Sequence, residues 1–125
     1  MKATLTNYRQ SPRKVRLVAQ LIRGKSIADA RKALTLLDKR SAPAFIKLLN
    51  SAVANAKENN EKVEDTLRVA DVRVDQGIVF RRFMPRAFGR ASVIQKKSST
   101  IKLVLDEKTT PKPKKTAPKK TAKKA

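Results

Sequence analysis

Histidine, cysteine and tryptophan are absent from this 125-residue chain. Without cysteine there is no disulfide framework, no thiolate metal site and no cysteine nucleophile. Without histidine the commonest general base is gone as well. Three glycines cannot build a phosphate-cradling loop, and neither GxGxxG nor GxxxxGK[ST] occurs. No run of 18 apolar residues offers a membrane span, and the opening MKATLTNYRQ has no apolar signal-peptide core. Acids are scarce too: ten Asp and Glu stand against 31 Lys and Arg. Asp71 and Asp75, four apart on a strand, would sit about 13 Å from each other, too far to share a metal. These absences predict a protein that is not an enzyme and that carries no cofactor and no metal.

What is present is positive charge, unevenly placed. The net charge is +21, of which residues 1–25 carry +7, 26–75 only +1, 76–105 again +7, and 106–125 +6. A compact free chain with this charge repels itself unless an anion screens it, and nucleic acid is the leading partner. Segregation of the charge indicates defined binding surfaces rather than general solubilisation. The tail TTPKPKKTAPKKTAKKA has no large apolar residue and cannot offset its ordering entropy, which predicts disorder over 107–125.

The remaining residues, 1–106, read as one domain. ATLTNYR (3–9) predicts a short strand. Ser11-Pro12 starts a helix with the stripe Val15, Val18, Leu21 and Ile22, stopped by Gly24. Ser26, with Asp29 three residues on, caps a second helix whose stripe is Ile27, Ala30, Leu34 and Leu37. Ser41 and Pro43 open a third, lined by Phe45, Leu49, Ala52, Val53 and Ala56. From Thr66 the period changes to two. Leu67 and Val69 share the parity of Asp71, whereas Val72 and Val74 take the other, so a bulge or an edge is expected near Ala70. ASVIQKKSSTIKLVL supplies the return strand. The fold class is therefore α+β: three helices on a small antiparallel sheet, with a long protruding β-hairpin (about 66–105) and a disordered C-terminal tail. A strand from Leu67 to Arg82 would span roughly 50 Å, against about 30 Å for a 19-residue helix, so the hairpin must outreach the body.

Its tip, FRRFMPRAFGRA (80–91), is too apolar for a solvated loop and too charged for a core strand. Arg81, Arg82, Arg86 and Arg90 offer planar forks for phosphate. Phe80, Phe83 and Phe88 suit either stacking on unpaired bases or packing on one another across the hairpin. Met84, Ala87 and the turn residues Pro85 and Gly89 complete it. A second basic surface comprises Arg9, Arg13, Lys14, Arg16, Arg23 and Lys25, with Lys96 and Lys97 on the return strand. One alternative on these physical grounds is an architectural DNA-binding protein whose basic β-arm enters a minor groove.

SPRKVRLVAQLIRGK (11–25), LLNSAVANAKEN (48–59) and RRFMPRAFGRA (81–91) together resemble the bacterial large-subunit ribosomal protein family L-twenty-two, in order and spacing, over residues 3–105. The resemblance implies a cytoplasmic protein of the large ribosomal subunit that binds its ribosomal RNA, supports assembly and lines the nascent-peptide exit tunnel with the tip Arg81–Arg90. Its implied partners are that RNA, neighbouring large-subunit proteins, and the nascent polypeptide and macrolides in the tunnel. Neither a membrane nor a second copy of the chain is implied. Phe88 departs from the basic or polar side chain many relatives carry, so stacking is expected there in place of charge contact.

Overall fold

A computed structural model describes residues 1–60 and 64–107. The expected tail lies outside the described residues from 108 onward, and Glu107, counted with it, ends a strand instead. The element order is β1 (Lys2–Tyr8), α1 (Pro12–Ile22), α2 (Ile27–Leu36), α3 (Ala42–Asn60), β2 (Leu67–Pro85) and β3 (Ala91–Glu107). The three strands form one antiparallel sheet in the order β1-β3-β2, so the last strand in sequence is the middle one in space.

Helix α1 buries Val15, Val18, Ala19 and Ile22, a spacing of three, four and seven that keeps one face inward. Leu21, expected in that stripe, is exposed, as is Leu17. Leu17 stands well round the helix from its buried face and Leu21 at the margin of that face, and Ala19 takes the inward place. Pro12 occupies the first turn as expected, but the Ser11 side chain makes no cap hydrogen bond; its carbonyl accepts from Lys14 and Val15 instead. Ser26 caps α2 as predicted: its Oγ accepts from the Asp29 N–H at 3.2 Å and donates to the Asp29 carboxylate at 2.6 Å. Leu37 sits just past the end of α2 and is half-buried. Helix α3 contributes Phe45, Leu49, Ala52 and Ala56, each fully enclosed, and Val53 close to it. These meet Leu67, Val69, Val72, Ile101, Leu103 and Leu105 from the sheet to form one core.

The expected bulge falls between Val69 and Asp71, and it hands the buried face from Leu67 and Val69 to Val72 and Val74. A second register shift lies between Gln76 and Val79. There the Ser98 hydroxyl is buried and donates to the Ile78 carbonyl at 2.6 Å. Gly77 packs against it so closely that a Cβ would stand 2.6 Å from Ser98 Oγ. Beyond this second bulge neither strand has a buried residue. The ladder nevertheless continues from Val79↔Lys97 to Pro85↔Ala91. Those seven paired positions carry the arm about 20 Å past the body.

Candidate nucleic-acid interface

Strand parity places the tip residues on two faces. Phe80, Arg82 and Met84 share one face and stand opposite Lys96, Ile94 and Ser92; Arg81, Phe83 and Pro85 share the other, opposite Gln95, Val93 and Ala91. Phe80 and Phe83 therefore cannot pack on each other. Of the two roles open to these rings, the aromatic cross-strand pair is absent, and Phe83 and Phe88 stand 71% and 98% exposed. The turn is made by Ala87–Gly89, closed by the Arg86 N–H donating to the Arg90 carbonyl at 2.8 Å. Pro85 ends β2 rather than entering the turn. The left-handed positions are Gly89 (φ 66°) and, unexpectedly for a bulky residue, Phe88 (φ 58°). Such a conformation costs a non-glycine residue about 1–2 kcal/mol. Arg86 is steadied by donating from Nε to Ser92 Oγ at 3.1 Å, while Arg81, Arg82 and Arg90 are exposed around it.

Where the hairpin leaves the body, a cleft of about 940 Å³ opens between them. One wall is Arg9, Arg13 and Arg40; the other is Phe80, Arg82, Lys96 and Lys97, and among the described residues no carboxylate lines it. The structure thus gathers Arg9, Arg13, Arg82, Lys96, Lys97 and Phe80 into one site, although they come from three distant segments. Gln10, Ser11 and Arg40 also line it and were missed by sequence reasoning. Arg40 lies in the nearly neutral middle segment, where charge bias gives no signal. Tyr8 fixes its backbone, the hydroxyl donating to the Arg40 carbonyl at 3.1 Å. The Ser99 hydroxyl, buried in β3, likewise holds the Gln10 carbonyl at 2.5 Å.

Arg16 and Arg23 do something different. Strand β2 is an edge, and its outer carbonyls face α1. Arg16 Nε donates to the Val74 carbonyl at 3.2 Å, and Arg23 Nη2 to the Val72 carbonyl at 2.6 Å. Arg23 also pairs with Asp71 at 3.2 Å. These two arginines are on the outer side of α1, as expected, but they are spent on the protein's own backbone. Further along the same edge, the Gly24 N–H donates to the Val69 carbonyl at 2.8 Å and the Val69 N–H to the Lys25 carbonyl at 2.9 Å. Lys14 is exposed outside the cleft, and Lys25 is half-buried. Asp71 also takes a hydrogen bond from Arg73 Nε at 2.7 Å. That bond, helped by the nearby Arg23 charge and opposed by partial burial, holds its carboxyl below the ordinary value, and it raises Arg73 in turn. Asp75 pairs with Lys102 at 3.2 Å. Both aspartates weighed as metal ligands are thus structural salt-bridge partners.

An α+β body with one long basic arm, and an acid-free cleft at its root, defines a class of protein fitted electrostatically to a polyanion. The family model described as ribosomal protein L22p/L17e matches residues 3–106, and the chain belongs to that family. It is 49% identical over 107 residues to the large ribosomal subunit protein uL22 of Thermus thermophilus, covering 86% of this chain and 95% of that one. With the protein of the same name from Bdellovibrio bacteriovorus it shares 48% over 108 residues, or 86% and 98% of the two chains. With that of Deinococcus radiodurans it shares 46% over 100 residues, or 80% and 75%.

Proposed function

We propose that this chain is a structural, non-catalytic protein of the large ribosomal subunit that binds the subunit's ribosomal RNA and lines the nascent-peptide exit tunnel with its hairpin tip. The observation that carries this reading is the arm itself. It holds a regular ladder out to Pro85↔Ala91 with no core of its own, and four arginines, three phenylalanines and no acid surround its end. Among the described residues nothing covers the outermost of those side chains, Phe83 and Phe88, which supports an external partner. Ribosomal RNA meets both needs: phosphates for the arginine forks and unpaired bases for the rings. The cleft and the basic face of residues 9–14 supply a broader set of phosphate contacts, which give most of the affinity and fix orientation. Family membership supports the large subunit as the setting, with neighbouring proteins of that subunit, nascent polypeptide and macrolides as further partners.

Chemical footprinting of large-subunit RNA with and without the full chain tests this reading. Two sets of protections are expected, one from the body and cleft and one from the tip. Replacing Phe83, Arg86, Phe88 and Arg90, none of which lines the cleft, by alanine should remove the second set while subunits still incorporate the protein. Macrolide and arrest-peptide responses of those subunits should change. Equal competition by duplex DNA at matched salt would overturn the reading in favour of an architectural DNA-binding arm.

A further inference from the structure

The cleft at the root of the arm has more structure than an electrostatic patch requires. Six cations converge on it from two facing walls: Arg9, Arg13 and Arg40 from the body, Arg82, Lys96 and Lys97 from the hairpin. One aromatic ring, Phe80, also lines it, 43% exposed, on the same strand face as Arg82 and opposite Lys96. Gln10 lines it too, and its Oε1 is shielded from solvent without a hydrogen-bond partner. Finally, Ser11 and Arg13 bring the N-terminal end of α1 to its edge. The Ser11 side chain makes no cap hydrogen bond, and with Pro12 lacking an N–H and the Lys14 and Val15 N–H groups donating to the Ser11 carbonyl, the helix dipole is what that end brings to the cleft margin.

A volume of about 940 Å³ lies at the upper end of the range that encloses small ligands. A duplex is convex and stiff; it would bridge the two walls and touch only the outer cations. A nucleotide turned out of its helix is narrow enough to enter, and it presents what the lining lacks: a flat π-face for Phe80 and two flanking phosphates for opposed rows of cations. Building on the ribosomal-RNA reading, we propose that this cleft seats one unpaired nucleotide at a sharp bend of the RNA backbone. Its base stacks on Phe80, and its flanking phosphates are clamped between Arg9 and Arg13 on one side and Arg82, Lys96 and Lys97 on the other. The root of the hairpin thereby becomes a sequence-tolerant reader of RNA bends, separate from the turn at Arg86–Arg90.

The test uses the isotopically labelled full chain, titrated with a short single-stranded RNA and with a duplex of the same sequence at matched salt, followed by amide NMR shifts. The single strand is expected to move the amides of residues 9–13, 80–82 and 95–98 saturably, and the duplex to move them far less. Phe80→Leu, which keeps apolar bulk at an exposed position without the π-face, should weaken single-strand binding about tenfold, the scale of one lost base–aromatic stack. Phe80→Tyr should restore it. Absence of cleft shifts at millimolar single strand, equal shifts with the duplex, or wild-type affinity in Phe80→Leu would each overturn the proposal. Retention of large-subunit RNA by the same protein is measured alongside. If it persists in those cases, the seat is refuted and the ribosomal reading stands; if the RNA is not retained at all, both fall.

Discussion

Removing positive charge from a chain this basic should help it fold, and for most of its arginines that is the expected sign. Arg16 and Arg23 should do the reverse. Each donates a charged hydrogen bond to a carbonyl on the outer edge of β2, at 3.2 and 2.6 Å, and Arg23 adds its pair with Asp71. Hydrogen bonds to charged groups contribute about 1.5–3 kcal/mol when shielded. The Arg23 side chain is 51% exposed, and after its removal water reaches the freed carbonyls, so the contribution falls below that range, to about 1 kcal/mol for each arginine. The double variant R16A/R23A should then lose about 2 kcal/mol, against a few tenths gained from reduced self-repulsion at physiological salt, where screening acts over about 8 Å. For a domain of this size the loss amounts to roughly 10 °C in midpoint temperature. R13A is the control, since Arg13 removes a like charge from the same helix but lines the open cleft. It should be neutral or slightly stabilising. Urea unfolding followed by far-UV circular dichroism suits a chain without tryptophan, and urea, unlike guanidinium, does not compete with the arginines. If R16A/R23A unfolds at the same urea concentration as R13A, or later, α1 does not clamp the edge of β2.

Gly77→Ala should destabilise the free protein by about 1–3 kcal/mol, because the added methyl meets the buried Ser98 hydroxyl at 2.6 Å; the same change made in Ser98→Gly should cost visibly less, and equal costs would discount that close approach. Asp71 contributes stability that is fully present above its unfolded value and is lost as pH falls through its lowered folded value. Asp71→Asn should therefore be less stable than the parent at neutral pH and converge with it below about pH 4; parallel pH profiles would contradict the pairing with Arg73 and Arg23.

Periodicity exposed most of the body. Three helices, their starts at Pro12 and Ser26, and the parity switch at Ala70 were all legible, because each follows from a local rule about which face is wet. The second bulge was not, since beyond Gln76 the arm has no buried face and hence no alternation to interrupt. Leu21 was misplaced for a related reason: an apolar residue on the margin of a helical stripe is assigned inside or outside by its neighbours, not by its own spacing. The basic residues were found by their bias, but their partition was not. That Arg16 and Arg23 turn to β2, while Arg9 and Arg13 meet Arg82 and Lys96 across a cleft, depends on how segments some 70 residues apart are brought together. Arg40 gave no signal at all, since it contributes to the cleft from the segment 26–75, whose net charge is only +1.

The middle strand of the sheet is the last one made. Met1 and Leu105 exchange a pair of hydrogen bonds, the terminal amino group donating at 3.0 Å and the Leu105 N–H returning at 2.9 Å. Between β1 and β2 there is no sheet until β3 arrives to join both. During synthesis, then, the helices wait with the central strand of their core missing, because Ile101, Leu103 and Leu105 have yet to appear. Completion is one late closing event between the two ends of the domain, and closures of such long sequence separation are intrinsically slow. Throughout that interval the acid-free first 25 residues are already available to a polyanion. A nascent chain of this protein can therefore be caught electrostatically before it is folded, so that capture and closure compete in time rather than following a fixed order.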